Sequence, residues 1–451
     1  MERTDDFEQQ CQDILTTITA RGIQTISLQF TDISGHLKGV SIPADQLAIV
    51  LAHGQWIDGS SIEGIVRRHE SDMVLRPDPT TFAILPWNES SGPVARIICD
   101  VYTMSGHPFA GDPRHVLRRA LAFAAERGFI YQVAPEIEFF ICQIDTAGHL
   151  LPLTADPDSY FDLSADPGTH LRHDLVAALR TMHIAVESSH HEVAMGQHEI
   201  DLAATHALHI ADNIVTLKFL ARHLARQHGL HITFMPKPFN NMSGSGLHIH
   251  QMLLSRDTGA NLFAGQSYRT ISALALHFIA GQIHHAPAFV AITNPLVNSY
   301  KRLAGGYEAP ATITWAHENR AAFIRVPYVP IGHPEMTRVE MRGSDPAGNP
   351  YLTLAVLLRA GLAGIAEQLP APDPVEEQVY AFTENEHPSL EAAWLPRSLG
   401  EALSAFSASP LLCEVLGEHV FGHFAEMKQR EWRAYQAQVT EWEQRLSLEM
   451  A

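Results

Sequence analysis

Apolar and β-branched residues fall in short runs over the first hundred positions and in longer, helix-spaced runs beyond them. Residues 25–31 (TISLQFT) predict a strand, 32–35 a turn and 37–42 (LKGVSI) a returning strand, so a β-hairpin is expected. Two more strands are expected, at 81–85 ahead of Pro86 and at 95–102 (ARIICDVY). Gly106, Pro108, Gly111 and Pro113 then crowd together, which marks a boundary before a helix over 114–127. Past it, strands and helices alternate: a strand within 130–141, helices at 173–182, 212–228 and 352–367, and helices over 399–446 broken near Ser409 and Pro410. The pattern predicts an α+β protein with a small N-terminal sheet domain, residues 1–108, and a larger second domain, residues 109–451. The segment 370–374 (PAPDP) reads as an exposed connection.

Composition narrows the function. Of 451 residues, 46% are hydrophobic and 18% charged, enough for a large core and far from the makeup of a disordered chain. The 31 Lys and Arg against 50 Asp and Glu leave a formal charge of −19, which argues against nucleic acid or an anionic membrane as partner. An anionic substrate would need a local cluster of Arg. Cys11, Cys99, Cys142 and Cys413 are scattered, with neither zinc nor disulfide spacing. The first ten residues lack the basic and apolar blocks of a signal peptide, and no uninterrupted apolar run is long enough for a membrane helix, so a cytoplasmic protein is expected. The 27 His residues call for an explanation.

Four segments carry chemistry. Glu136 and Glu138 in APEIEFFI stand two apart, which puts both on one strand face. Alone, such a pair reads as the solvated face of an edge strand, because like charges on a buried face repel and are costly to desolvate. The segment SSHHEVAMGQHEID adds His190, His191, Glu192, His198 and Glu199 around Gly196; its carboxylate excess favours magnesium or manganese over zinc. In GSGLHIH, Gly244, Ser245 and Gly246 let the backbone approach a ligand, and His248 and His250 point the same way from a strand. Arg302, Arg320, Arg325, Arg338 and Arg342, with Glu340 among them and a Gly305-Gly306 hinge before Glu308, suggest a phosphate and carboxylate clamp, since the guanidinium fork matches both groups.

Together with IDGSSIEG, ESDM, YFDL, FMPKP, TNPLVNSYKRL, GYEAP and NRAAFIRVP, and in this order, these motifs resemble the glutamine synthetase family from about Gln29 to Trp442. The resemblance implies a small N-terminal β-grasp domain followed by a catalytic domain whose antiparallel strands form a funnel. It implies that Glu138, Glu192 and Glu199 hold one Mg²⁺ or Mn²⁺ and that Glu136, His248 and Glu340 hold another. Charge arithmetic agrees: five carboxylates contribute −5 and two divalent cations +4. Arg302, Arg320 and Arg342 would face glutamate and the transferred phosphoryl group, with Gly244 on the amino-acid side. Glu187, His250, Arg325 and Arg338 match positions that line the ATP pocket. The implied reaction phosphorylates glutamate with ATP and lets ammonia displace phosphate. Asp58 would deprotonate ammonium, Ser61, Asp72, Tyr160 and Glu308 would surround it, and Glu308 on its flap would exclude water. Relatives assemble as two stacked rings of six, so a homo-oligomeric dodecamer with active sites between subunits is expected.

Departures from the family pattern keep alternatives open. Ser243 replaces an Asn that contacts glutamate, Met252 replaces a usual Ser, Ala204 replaces an aromatic flanking adenine, and the flap reads AGGYEAP. A γ-glutamyl ligase for a larger amine, such as a polyamine or alkylamine, is the runner-up; a catalytically silent assembly or regulatory protein is a third reading. Tyr380 lacks the surroundings of the family's nucleotidylation site and is expected to stay unmodified, while Arg67 resembles a feedback-linked Arg.

Overall fold

A computed structural model describes residues 5–60, 62, 72–89, 92–156, 159–163, 167–266, 270–304, 309–376 and 393–448. After helix α1 (Asp5–Arg21), strands β1 (Thr25–Thr31) and β2 (Leu37–Pro43) pair antiparallel from Thr25↔Pro43 to Thr31↔Leu37, the expected hairpin. Helix α2 (Leu47–His53) leads to β3 (Gln55–Asp58), β4 (Asp72–Pro77), β5 (Ala83–Glu89) and β6 (Gly92–Thr103). These strands form one six-stranded sheet in the order β2-β1-β6-β4-β3, with β5 also on β6. Ile14 and Ile18 of α1 close its apolar face over Ile26, Leu28, Leu75 and Ile97. Strand β5 runs past Pro86 instead of ending before it. The register slips between Ile84 and Asn88, which takes the proline out of the ladder where its missing N–H does no harm.

Helix α3 (Pro113–Ala125) starts on Asp112, whose carboxylate accepts from the Arg114 N–H at 2.9 Å. The second sheet follows, built on the long strand β7 (Phe129–Ile144), with β8 (Leu150–Pro152), α4 (Pro167–Thr181), β9 (Val186–His191), β10 (Gln197–Leu202), β11 (Thr205–His206), α5 (Ala207–Gln227), β12 (His231–Thr233) and β13 (Leu247–Ser255). The chain continues through α6 (Ala273–Thr293), α7 (Ser299–Leu303), β14 (Trp315–Ala316), β15 (Ile324–Arg325) and β16 (Val339–Met341). It then forms α8 (Pro350–Glu367), α9 (Leu399–Ser407), α10 (Pro410–Gln436) and α11 (Glu441–Ser447). The strand order is β14-β15-β16-β13-β7-β10-β9, antiparallel except for β14 and β15, with β8, β11 and β12 also on β7. The architecture is α+β, as expected. Strand β7 sits in the middle of the sheet, so the edge-strand reading of Glu136 and Glu138 is overturned: partners flank it on both sides.

Helix α5 begins at Ala207, ahead of the expected Asp212, because Ala207, Leu208, Ile210 and Ala211 all pack into the core. The apolar helices α6 and α8 meet where a Cβ on Gly281 would lie 2.2 Å from the Ala360 carbonyl oxygen. Such contact needs glycine on both helices, and it explains why α8, apolar enough to cross a membrane by composition, is a core helix here. The break at Ser409 and Pro410 is present, and α10 kinks again at Gly417, where φ is 78°. Arg114, 2% exposed, ties the two sheets together by bonding Asp78 (2.8 Å) and Asp100 (2.6 Å) of the first and Asp212 (2.9 Å) of α5.

Candidate active site

Cross-strand register builds the site. Glu136 faces His248 on β13 and Asp201 on β10; Glu138 faces Glu199, which faces His190 on β9; His250 faces Glu340 on β16, which faces Arg325 on β15. Register partners on neighbouring strands share a face, so one side of the sheet gathers carboxylates and imidazoles from five strands and a guanidinium from a sixth. Potential ligand atoms of Glu136, His248 and Glu340 lie within 4.8 Å of one another, as do those of Glu138, Glu199 and His248, and of His190, Glu192 and Glu199. Glu199 is therefore shared between two overlapping triads. His248 Nδ1 is 3.0 Å and His250 Nε2 2.6 Å from the Glu136 carboxylate. The glycines matter directly: the Gly246 N–H donates to Glu138 Oε2 at 2.9 Å, and a Cβ there would lie 2.7 Å from an Arg302 Nη.

The electrostatics divide the cluster. Burial works to raise the Glu136 carboxyl, but hydrogen bonds and charge from His248 and His250 outweigh it and hold it far below the ordinary value. Burial likewise opposes ionisation of Glu340, yet Arg342 and His250 bring it down to about 2. Glu199 is compensated less, by His190 at 3.1 Å. Burial, then the charges of Glu138, Asp201, Glu136 and Glu192, push its carboxyl well above the ordinary value. Buried carboxylates that repel one another in this way fit divalent cations with a preference for oxygen, completed by single imidazoles. The residues present thus suit the metal ions that their pattern implies.

Cations stand beside the acids. A cavity of about 310 Å³ is lined by Glu138, Glu192, His248, Gly244, Arg302 and Arg342, and Ser243 also reaches it. Arg342 grips Glu340 and donates from Nε to the Arg320 carbonyl at 2.8 Å. Arg302 is held by the Ser344 carbonyl at 3.0 Å, with burial pushing its guanidinium down and Glu138 and Asp345 pulling it up. Arg325 bonds Glu340 at 3.2 Å. Tyr160 packs its ring edge-on to His190 at 5.5 Å and hydrogen-bonds Arg320, itself exposed.

Other expected residues lie apart. Asp58 and Asp72 face each other in register on β3 and β4 of the first sheet, both exposed, and Asp58 accepts from the Ser60 N–H at 2.8 Å, which lowers its carboxyl. Glu187 is exposed on β9 and Arg338 half-buried before β16. Ser61, Glu308, Arg67 and Tyr380 fall outside the described residues. The structure also adds residues without an expected role. Gln197 holds both Glu138 Oε2 and the Gly244 carbonyl at 3.0 Å. Behind the ligand strands, buried Asp156 bridges His191 and His198, each at 2.9 Å. The HHE and GQHE runs place these groups next to Glu192 and Glu199, but nothing local in sequence points to Asp156. Two of the surplus histidines thereby have structural partners.

Comparison with known proteins agrees with this geometry. Residues 22–104 match the family described as "Glutamine synthetase, beta-Grasp domain" and residues 110–447 the one described as "Glutamine synthetase, catalytic domain". The chain is 46% identical to a glutamine synthetase of Clostridium saccharobutylicum over 96% of its own length and 97% of the relative's. It is 45% identical to one of Thermus thermophilus, again over 96% of this chain and 97% of the relative. Among solved structures, one described as "GmaS/ADP complex-Conformation 1" superposes with a TM-score of 0.85 at 32% identity, covering 97% of this chain and 99% of that one. A central antiparallel sheet bearing carboxylate and imidazole triads, joined to a β-grasp domain over nearly the whole length of these relatives, leaves one conclusion: the chain belongs to the glutamine synthetase family and is a carbon–nitrogen ligase.

Proposed function

We propose that this chain is a glutamate–ammonia ligase that makes glutamine through γ-glutamyl phosphate. The observation that carries the reading is the cavity lined together by Arg302 and Arg342 and by Glu138, Glu192 and His248. Glu138, Glu192 and Glu199, and Glu136, His248 and Glu340, would hold two Mg²⁺ or Mn²⁺ ions, which supply charge neutralisation for the phosphates of ATP when bound. The chain's own groups do the rest. Arg342 and Arg320 face the phosphoryl group in transfer, where fixed guanidinium charge favours the developing negative oxygens. Arg302 and Gly244 orient the amino acid. Glu187, His250, Arg325 and Arg338 border the nucleotide, and Arg325 helps to aim Glu340 through its 3.2 Å bond.

Ammonium is not a nucleophile until it loses a proton. Asp58 takes that proton, with Ser61, Asp72, Tyr160 and Glu308 around the cation, and Glu308 then shields the acyl phosphate from water. Asp58 is exposed on β3 and contacts its own loop, so a second copy of the chain completes the site. Such sharing fits a closed ring assembly, here a dodecamer of two hexamers. Four free cysteines suit a reducing cytoplasm.

A second reading, transfer to a larger amine, is favoured by Ser243 at the cavity wall and by the likeness to the GmaS structures. ADP release with ATP, Mg²⁺ and glutamate, with ammonium, methylamine, putrescine or ethanolamine as acceptor, separates the two. Ammonium-dependent turnover is expected. Turnover with an amine but not with ammonium would replace the first reading by the second, and no turnover with any acceptor would remove both.

A further inference from the structure

A larger cleft, about 900 Å³, opens away from the acidic cluster, between the β1–β2 hairpin and the face of α5. Ser27, Gln29 and Lys38 line one wall; Lys218, Arg222 and Arg226 line the other. The last three stand four residues apart on α5, so they project from one helix face with about 6 Å of rise between neighbours. Like charges at this spacing destabilise a helix. The cleft's other cations are matched: Lys38 pairs with Asp32 at 3.4 Å and Lys428 with Glu431 at 2.8 Å. Lys218, Arg222 and Arg226 have no carboxylate within ion-pair distance among the described residues, although acidic residues outnumber basic ones in this chain by 50 to 31.

Lys218 is the most telling of the three. It is 8% exposed, its ammonium group donates to the Pro346 carbonyl, and it sits 5.9 Å from the Phe234 ring centre. Burial, then the Arg222 charge, brings it down to about 7. Arg222 lies 5.5 Å from the same ring, at the mouth of the cleft. A buried cation at the floor and two guanidinium forks at the rim form a graded positive channel, of a size typical for small-molecule sites.

We propose that this cleft is a second binding site, for a small organic molecule carrying at least two carboxylate or phosphate groups. One anionic group reaches Lys218 and another bridges Arg222 and Arg226, while the Ser27 hydroxyl and Gln29 amide offer hydrogen bonds from the facing wall. Occupancy ties the N-terminal hairpin to α5. The strand after α5, β12, pairs with β7, which carries Glu136 and Glu138, so the cleft is joined mechanically to the catalytic sheet.

The test is calorimetric titration of citrate and of pyrophosphate into the metal-free full chain at low salt. Wild type and Arg302→Gln should bind at least one probe with the same affinity, and the Arg222→Gln/Arg226→Gln variant at least tenfold more weakly. Citrate alone binding marks a carboxylate site, and pyrophosphate alone a phosphate site. Thermal melts check folding, and the double variant should melt no lower than wild type because it loses like-charge repulsion. An unchanged isotherm in the double variant overturns the proposal. So does a wild type that binds neither probe; if the double variant then also changes sedimentation mass, the cleft seats a second copy of the chain.

Discussion

Glu199→Gln should have effects of opposite sign on the metal-free and metal-bound protein. Glu199 is 6% exposed and shares a 4.8 Å neighbourhood with Glu138 on one side and Glu192 on the other. At that separation and an effective dielectric of about 20, each like-charge pair costs about 3.5 kcal/mol. His190, 3.1 Å away, offsets part of this, and the free protein relieves more by keeping Glu199 protonated. The net gain from removing the charge is therefore less than one such pair, about 1–3 kcal/mol. Metal binding loses a ligand charge from two triads and should weaken by about 300-fold, the equivalent of a single lost pair. Urea unfolding at pH 8 in EDTA should show the variant more stable than wild type; with Mg²⁺ present the order should reverse. The sign with pH follows as well. An acid whose folded value is raised binds more protons folded than unfolded, so it lowers stability as pH rises from the ordinary carboxylate value through the raised one, and the variant flattens that decline. A variant less stable than wild type in EDTA would refute the view that this cluster is strained until cations enter it.

Other substitutions test separate parts of the structure. Arg114→Met removes the ion-pair partner of Asp212 and leaves Asp78 and Asp100 to Arg118 alone at the junction of the two sheets, and should cost about 3–5 kcal/mol by urea unfolding; a loss below about 1 kcal/mol would show that the junction does not depend on this ion cluster. Gly246→Ala places a Cβ 2.8 Å from His248 Nε2 and 3.0 Å from Glu138 Oε1, so Mn²⁺ affinity should fall at least about tenfold while the metal-free melting temperature barely moves. Asp58→Ala should slow ammonia-dependent glutamine formation about 100-fold while rapid-quench γ-glutamyl phosphate formation persists; equal loss of both would contradict the proton-acceptor role.

Local structure was legible where the cause is local. The run TISLQFT alternates and branches at Cβ, and it forms the strand expected of it; Ser409-Pro410 caps a helix where the break was expected. Pro86 misled because a register slip in pairing, invisible in the run itself, absorbs it. The two-residue spacings of Glu136 and Glu138 and of His248 and His250 announced shared faces. That β7 is central was not legible, since its flanks are supplied by residues 197–202 and 247–255, and strand order is a long-range property. Asp156 is the same lesson in miniature: its two partners lie 35 and 42 residues away. The family pattern supplied the catalytic roles, whereas the cation stripe of α5 became conspicuous only when the matched pairs around it were in place.

The dependence of the metal triads on β7 makes them a check on assembly of the sheet. A slip of one residue in the β7–β13 pairing would turn Glu136 and Glu138 towards the side where Ile137 and Phe139 pack, and would swing His248 and His250 away from them. No misregistered sheet could then present three ligands at one point. Divalent cations would bind only chains that have paired correctly across strands scattered from residue 129 to residue 341, drawing the folding population towards that single register by mass action.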